Sequence, residues 1–248
     1  MNQILVSKKL YITPELKRKK KIYKFDFFIS VFLACVLISL CIYAEYDRNK
    51  GEAASQEILE NMNMEDTTVA KNNVLVVVLD DDEQNERVQE EQQQQYTDLV
   101  IGKKKEKKVT SDGYTYTTIA TVNIPKINVT YPVLDGETDS AAETEALLKI
   151  APTKFWGANP NRVGNFCIVG HNYRNTKFFS KVPTLEVGDV VEVTDLSGKT
   201  IQYKVYNKYQ VDPADVSCTT QLTNGKREVT LITCTDDSKQ RVVVKARE

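Results

Sequence analysis

The chain is poor in the residues that build metal centres and cross-linked scaffolds. It has one histidine, His171, and five cysteines without a single Cys-x-x-Cys pair. That scarcity argues against a zinc site. Cys35 and Cys41 lie in an apolar run and read as apolar fillers. Leu40 is too bulky beside Cys41 for a lipoprotein cleavage box. Cys167, Cys218 and Cys234 remain, an odd number, so a fully paired disulfide framework is ruled out unless one thiol pairs between chains. Net charge is also scarce, at -1 from 33 basic and 34 acidic side chains. The basic excess sits in one terminal block: Lys8, Lys9, Lys17, Arg18, Lys19, Lys20, Lys21 and Lys24 against Glu15 alone. A global nucleic-acid-binding surface is therefore not expected. Nothing in the sequence supports a cofactor. Glu143, Glu186 and Asp215 are loop carboxylates, but their spacing makes no recognisable calcium site.

What is present begins with Phe27 to Ala44, a run without charge. As a helix rising about 1.5 Å per residue it spans roughly 27 Å, close to the hydrocarbon core of a bilayer. A buried core helix rarely lacks polar residues on every face. A cleaved signal peptide would have a shorter apolar region and a small-residue site, which Ile42-Tyr43-Ala44 matches poorly. The expected organisation is a basic cytoplasmic tail over 1–24, a transmembrane anchor over 25–44, an extracellular stalk over 45–112 and a folded domain over 113–248. The positive-inside rule puts the tail in the cytoplasm and everything after Ala44 outside. The stalk carries the acidic, Gln-rich run Asp80 to Gln95 and the basic patch Lys103 to Lys108. Solvated helix or disorder is the expectation there. Val74 to Leu79 is the apolar exception, expected to dock on the folded domain as a strand or short helix.

From Gly113 onward the sequence is β-rich. Tyr114 to Ile124 reads as a strand, continued by Pro125 to Leu134, whose prolines mark strand edges or ends. Asp135-Gly136 makes a turn and Ser140 to Ile150 a short helix. Phe166 to Val169, Val190 to Val193 and Thr200 to Tyr209 are further strands, and Val211 to Lys226 is a polar loop. Val229 to Thr235 and Arg241 to Lys245 flank the turn Asp236 to Lys239, which predicts a hairpin. Many short strands with little helix imply a closed or nearly closed β-barrel of about eight strands. In the hairpin, Cys234 ends one strand and Arg241 begins the next, so a thiol and a guanidinium share one end of a sheet. With His171 upstream they make a plausible acyl-transfer site. Asp236 and Asp237 read as turn formers, Cys167 as core, Cys218 as a loop thiol, and Phe155 and Trp156 as core or groove wall.

Taken in order, the anchor, Val122-Asn123-Ile124-Pro125-Lys126-Ile127, Tyr131-Pro132-Val133-Leu134, Val169-Gly170-His171-Asn172, Thr230-Leu231-Ile232-Thr233-Cys234 and Arg241 resemble a sortase over roughly residues 114–247. The Gly-His pair alone would be a weak signal. A Thr-Leu-x-Thr-Cys strand followed by an arginine is quite specific. Sortases are membrane-anchored cysteine transpeptidases of mainly Gram-positive bacteria, built on an eight-stranded barrel. The resemblance implies attack on a sorting signal of the Leu-Pro-x-Thr-Gly kind, a thioester acyl-enzyme, and transfer to an amine of a cell-wall precursor or pilin. It implies Cys234 as nucleophile, His171 as acid/base and Arg241 as stabiliser of oxyanion and substrate. The short polar connection from Tyr206 to Val229 lacks the helix of class B. No Asp-Pro-aromatic plug of class C is found, and Tyr96 to Leu99 is no substitute. A class A-like or class D-like member fits. The expected partners are a sorting-signal-bearing surface protein, the amine acceptor and the membrane, with no nucleic acid.

Elementary chemistry agrees with those roles. The thiolate is the reactive species, and an imidazolium beside it can also protonate a leaving amine. At ordinary pKa values of about 8.5 and 6.5, only about 1% of molecules at pH 7.5 would hold thiolate and imidazolium together. A guanidinium stays charged and offers a planar fork of donors to an oxyanion. Two other functions use the same residues differently. One is a non-catalytic stalked surface-binding module and the other a cysteine hydrolase with water as acceptor. The loop Val211 to Lys226, which abuts the strand ending at Cys234, is the expected specificity element.

Overall fold

A computed structural model describes residues 14–69, 107–138 and 140–248. The predicted features at Val74 to Leu79, Asp80 to Gln95, Tyr96 to Leu99 and Lys103 to Glu106 lie outside those residues. Two compact units divide between Asn49 and Lys50. Helix α1, Pro14–Val69, runs for 56 residues. Pro14 suits the first turn, where a backbone N–H has no helical partner. The α1 segment within the first unit exposes Phe25, Phe28, Phe32, Leu37 and Ile42. It is long and apolar enough to cross a membrane. The helix does not stop at Ala44, because no proline interrupts the sequence that follows.

In the second unit the strands are β1 Lys108–Val109, β2 Thr115–Ile124, β3 Val129–Gly136, β4 Thr153–Gly157, β5 Gly164–Val169, β6 Val190–Asp195, β7 Thr200–Val211, β8 Arg227–Cys234 and β9 Arg241–Arg247. Helix α2, Ala141–Leu148, separates β3 from β4. The sheet order is β1-β2-β3-β4-β5-β8-β9-β7-β6, and β2 also pairs with β6. That extra pairing closes β2 to β9 into an eight-stranded barrel, with β1 as a two-residue addition. The β3–β4 seam is one parallel pair, Leu134↔Thr153, whereas β5–β8 is a parallel ladder from Gly164↔Arg227 to Val169↔Ile232. Alternating side chains point inward, so Val122, Ile124, Phe166, Ile168, Val193, Tyr203, Leu231 and Val244 fill the interior.

Local chemistry explains the departures from the expected strands. Pro125–Ile127 is a turn of 3-10 helix ended by Asn128 in the left-handed region, so the predicted continuous strand is broken there. Proline fixes φ and donates no ladder bond. β4 is an additional strand, and its Phe155 and Trp156 are 40% and 56% exposed, so neither is core. Ser140 caps α2 by accepting from Glu143 N–H at 3.1 Å. The buried Glu143 carboxylate accepts from Glu137 and Thr138 N–H at 3.0 and 2.9 Å. This side chain ties the turn after β3 to the start of α2.

The start of the segment expected as a stalk packs on the folded domain. From Lys50 onward α1 belongs with the barrel, where Ile58 and Met62 join Tyr116, Leu134, Leu147 and Ala151 in one apolar cluster. Gly51 permits the approach, since a Cβ there would lie 2.1 Å from the Lys149 carbonyl oxygen. Glycine costs about 1 kcal/mol within a helix relative to alanine, but an alanine here would collide with that carbonyl.

Candidate active site

The β8–β9 hairpin forms as its residues dictate. Thr235 N–H donates to Gln240 O at 3.0 Å, and Ser238 N–H to Thr235 O at 2.8 Å. The Asp237 carboxylate accepts from Thr235 Oγ1 at 2.6 Å and from Lys239 N–H at 3.1 Å. Those donors hold it below the usual carboxylate range. Asp237 is thus the turn former. Asp236 has a different duty, described below. The ladder ends on the pair Cys234↔Arg241. Cys234 carries a free, half-buried thiol. Arg241 is half-buried, and among the described residues its guanidinium has neither an ion pair nor a hydrogen bond.

His171 reaches this end through the parallel β5–β8 ladder. The last pair is Val169↔Ile232, and the strands stay joined by Gly170 N–H to Ile232 O at 3.0 Å and Thr233 Oγ1 to Gly170 O at 2.8 Å. Two residues further on lie His171 after one strand and Cys234 at the end of the other. Gly170 is required because a Cβ there would come within 2.6 Å of the Phe179 ring. Asn172 then fastens the histidine loop to the hairpin: its Nδ2 donates to Cys234 O and to Asp236 Oδ1, both at 2.9 Å. The three side chains expected from the sequence therefore share one end of β5, β8 and β9.

The imidazole of His171 is only 23% exposed, with Nε2 3.7 Å from Glu145 Oε1 on α2. The Tyr173 ring lies 5.0 Å from it, centroid to centroid. Burial lowers the His171 pKa because the imidazolium is deprived of water, and Lys149 adds to that while Glu145 opposes it. The neutral imidazole is favoured more than in water.

The other barrel thiols are shut away. Cys167 is fully buried and burial pushes its thiol up to about 12. Cys218 lies in the predicted loop but is no open thiol, since it packs against Ile232 and Val243 and burial raises its pKa. Asn165, which belongs to none of the sequence motifs, organises this loop. Its buried Nδ2 donates to Cys218 O at 3.0 Å and Thr220 O at 3.1 Å, while its Oδ1 accepts from Thr230 Oγ1 at 2.7 Å. An amide inside the apolar run Gly164–Val169 was the available signal. Among the described residues no three His, Cys, Asp or Glu side chains gather as a metal-binding group. Asp215 accepts from Ser217 N–H at 2.8 Å.

A half-buried thiol, an imidazole and a guanidinium unpaired among the described residues share one sheet end, and these are the group types from which a nucleophile, a proton carrier and an anion-binding group are built. A family model described as Sortase domain matches residues 122–248, just over half of the chain. A search of curated proteins found no match. Among solved structures, the chain is similar to a sortase D5 transpeptidase of Clostridium perfringens, with 30% identity over 53% of this chain and 78% of that one, at a TM-score of 0.45. It is also similar to the pilus island 1 sortase C2 of group B Streptococcus, at 26% identity, 52% and 73% coverage and a TM-score of 0.44. Sortase C-1 of Actinomyces oris is 21% identical, with 77% and 97% coverage and a TM-score of 0.46. The matched span contains the Cys234–Arg241 hairpin and His171, and the chain belongs to the sortase family of cysteine transpeptidases.

Proposed function

We propose that Cys234 attacks a backbone carbonyl in a Leu-Pro-x-Thr-Gly-like sorting signal, with His171 as acid/base and Arg241 as oxyanion donor. The thiol proton passes to His171 as sulfur bonds to the carbonyl carbon. The Arg241 guanidinium donates hydrogen bonds to the resulting oxyanion. Collapse breaks the peptide C–N bond, His171 returns the proton to the leaving amine, and a thioester on Cys234 remains. An amino group of a wall precursor or pilin then attacks the thioester, loses its proton to His171 and releases the thiolate. The carrier protein ends joined to that acceptor by a new amide bond. Lowering of the His171 pKa makes a preformed thiolate–imidazolium pair scarcer, so slow turnover is the expectation.

The supporting observation is the Cys234↔Arg241 pair closing the hairpin beside a histidine held on the neighbouring strand. The apolar stretch of α1 fits a membrane anchor. We read 1–24 as cytoplasmic, 25–44 as the membrane span and the catalytic domain from 113 as extracellular, on the charge asymmetry of the sequence. The loop between β7 and β8 is the element we assign to signal specificity, because Asn165 fastens it beside the catalytic sheet.

Residues 45–248 incubated with sorting-signal peptides and amine acceptors should give amine-exchanged peptides by mass spectrometry. Exchange should vanish in Cys234→Ala and His171→Ala. Hydrolysis alone with every acceptor would overturn transfer in favour of a hydrolase. Exchange of the β7–β8 loop with unchanged peptide preference would remove that loop from specificity.

A further inference from the structure

The histidine loop is held from two sides, and only one of them is the hairpin. On the other side Phe178 adopts a left-handed backbone, φ 50°, which is unfavourable for a bulky residue and needs support from its surroundings. That support comes from Tyr131 on β3. Its Oη accepts from Phe178 N–H at 3.0 Å, and its ring stacks on the Phe178 ring at 5.1 Å with a 6° tilt. The same Oη donates to both oxygens of the Glu52 carboxylate, at 2.9 and 2.8 Å. Burial, reinforced by Glu52, raises the Tyr131 pKa above its ordinary value, so the phenol keeps the proton it donates. From Phe178 the contact chain is short. Tyr173 meets the Phe178 ring edge-on at 5.3 Å and the His171 ring at 5.0 Å. Phe179 N–H donates to His171 O at 3.0 Å, and Asn172 bridges Phe178.

We propose that Glu52 of α1 is a positioning residue for His171, acting through the Tyr131 hydroxyl and the Phe178 backbone. Neither Glu52 nor Tyr131 touches the reacting groups. A carboxylate orients the phenol, the phenol holds a strained N–H, and the strained residue fixes the rings and backbone that set the imidazole. Gly51 allows this approach of α1, since a Cβ at its position would lie 2.1 Å from the Lys149 carbonyl oxygen. The idea rests on the proposed role of His171, yet it has a consequence visible without turnover. His171 is the only histidine, so a histidine-labelled chain gives one imidazole spin system.

The test uses the full chain in detergent micelles, with Tyr131→Phe, Glu52→Leu, Glu52→Gln and Ile58→Ala. Tyr131→Phe and Glu52→Leu should lower kcat about tenfold, leave KM for the peptide within about twofold, and shift or broaden the His171 resonances. Glu52→Gln keeps an acceptor for the phenol and should retain most of kcat. Ile58→Ala weakens the same helix contact through apolar packing alone. It should lower thermal stability yet leave kcat and the His171 resonances unchanged at temperatures where it is folded. Unchanged His171 resonances in folded Tyr131→Phe, or an equal kcat loss in Ile58→Ala, would overturn the proposal. If kcat proved independent of His171 while its resonances still moved with Tyr131, the catalytic assignment would fail and the positioning would stand.

Discussion

Cys167 and Cys234 sit on neighbouring strands of one sheet and have opposite fates. Cys167 lies in mid-ladder on β5, opposite Thr230, with no solvent contact and a thiol pushed up to about 12. Cys234 occupies the last rung of β8, where the ladder opens, half-exposed and opposite Arg241. The residue type is the same, so position along the strand decides. Mid-strand, a side chain is fixed but unreachable and its anion is unsolvated. At the strand end the register still fixes direction while one side opens to a substrate. At the rim of this barrel the ladder therefore orients side chains that it no longer covers.

That contrast can be broken by mutation and labelling. Cys234→Ala should lower kcat by about 10³-fold or more, whereas folded Cys167→Ala should keep it within about twofold, both read from steady-state transpeptidation. Arg241→Ala should cost about 10²- to 10³-fold in kcat. Arg241→Lys should recover only part of this, since an ammonium lacks the planar fork. In the native protein, iodoacetamide should modify Cys234 at least about 100-fold faster than Cys167 or Cys218, as mapped by peptide mass spectrometry. Equal labelling would erase the contrast. The smallest effect is electrostatic. Glu145 opposes and Lys149 reinforces the lowering of the His171 pKa. Glu145→Gln should move the single imidazole titration to lower pH and Lys149→Gln to higher pH. Because the Glu145 side chain is 64% exposed, each shift should be a fraction of a unit and shrink with salt. The His171 limb of the rate–pH profile should move the same way.

The hairpin was legible because its signals are local. Alternating residues ran to Cys234, a polar turn followed, and Arg241 resumed the strand. The barrel was legible for the same reason, strand by strand. β4 was not, since its exposed Phe155 and Trp156 give no inside-outside alternation. Asn172 and Asn165 act on partners far away in sequence, the hairpin and the β7–β8 loop, and no spacing rule announces such bonds. The docking of α1 was hidden by composition. Gly51, Ser55, Ile58 and Met62 fall at helical spacing on one face, but two of those four are too small to read as an apolar stripe. Glu52 falls within the span expected as a stalk, and its phenol partner lies 79 residues away on β3.

The most direct measurement is the mass of the trapped covalent intermediate. The protein would be mixed with a sorting-signal peptide library without acceptor, quenched in acid, weighed intact and mapped by peptide. The expected result is an acyl adduct on Cys234 that is released by an added amine as the exchanged product. An adduct on Cys167 or Cys218, or undiminished transfer by Cys234→Ala, would contradict it.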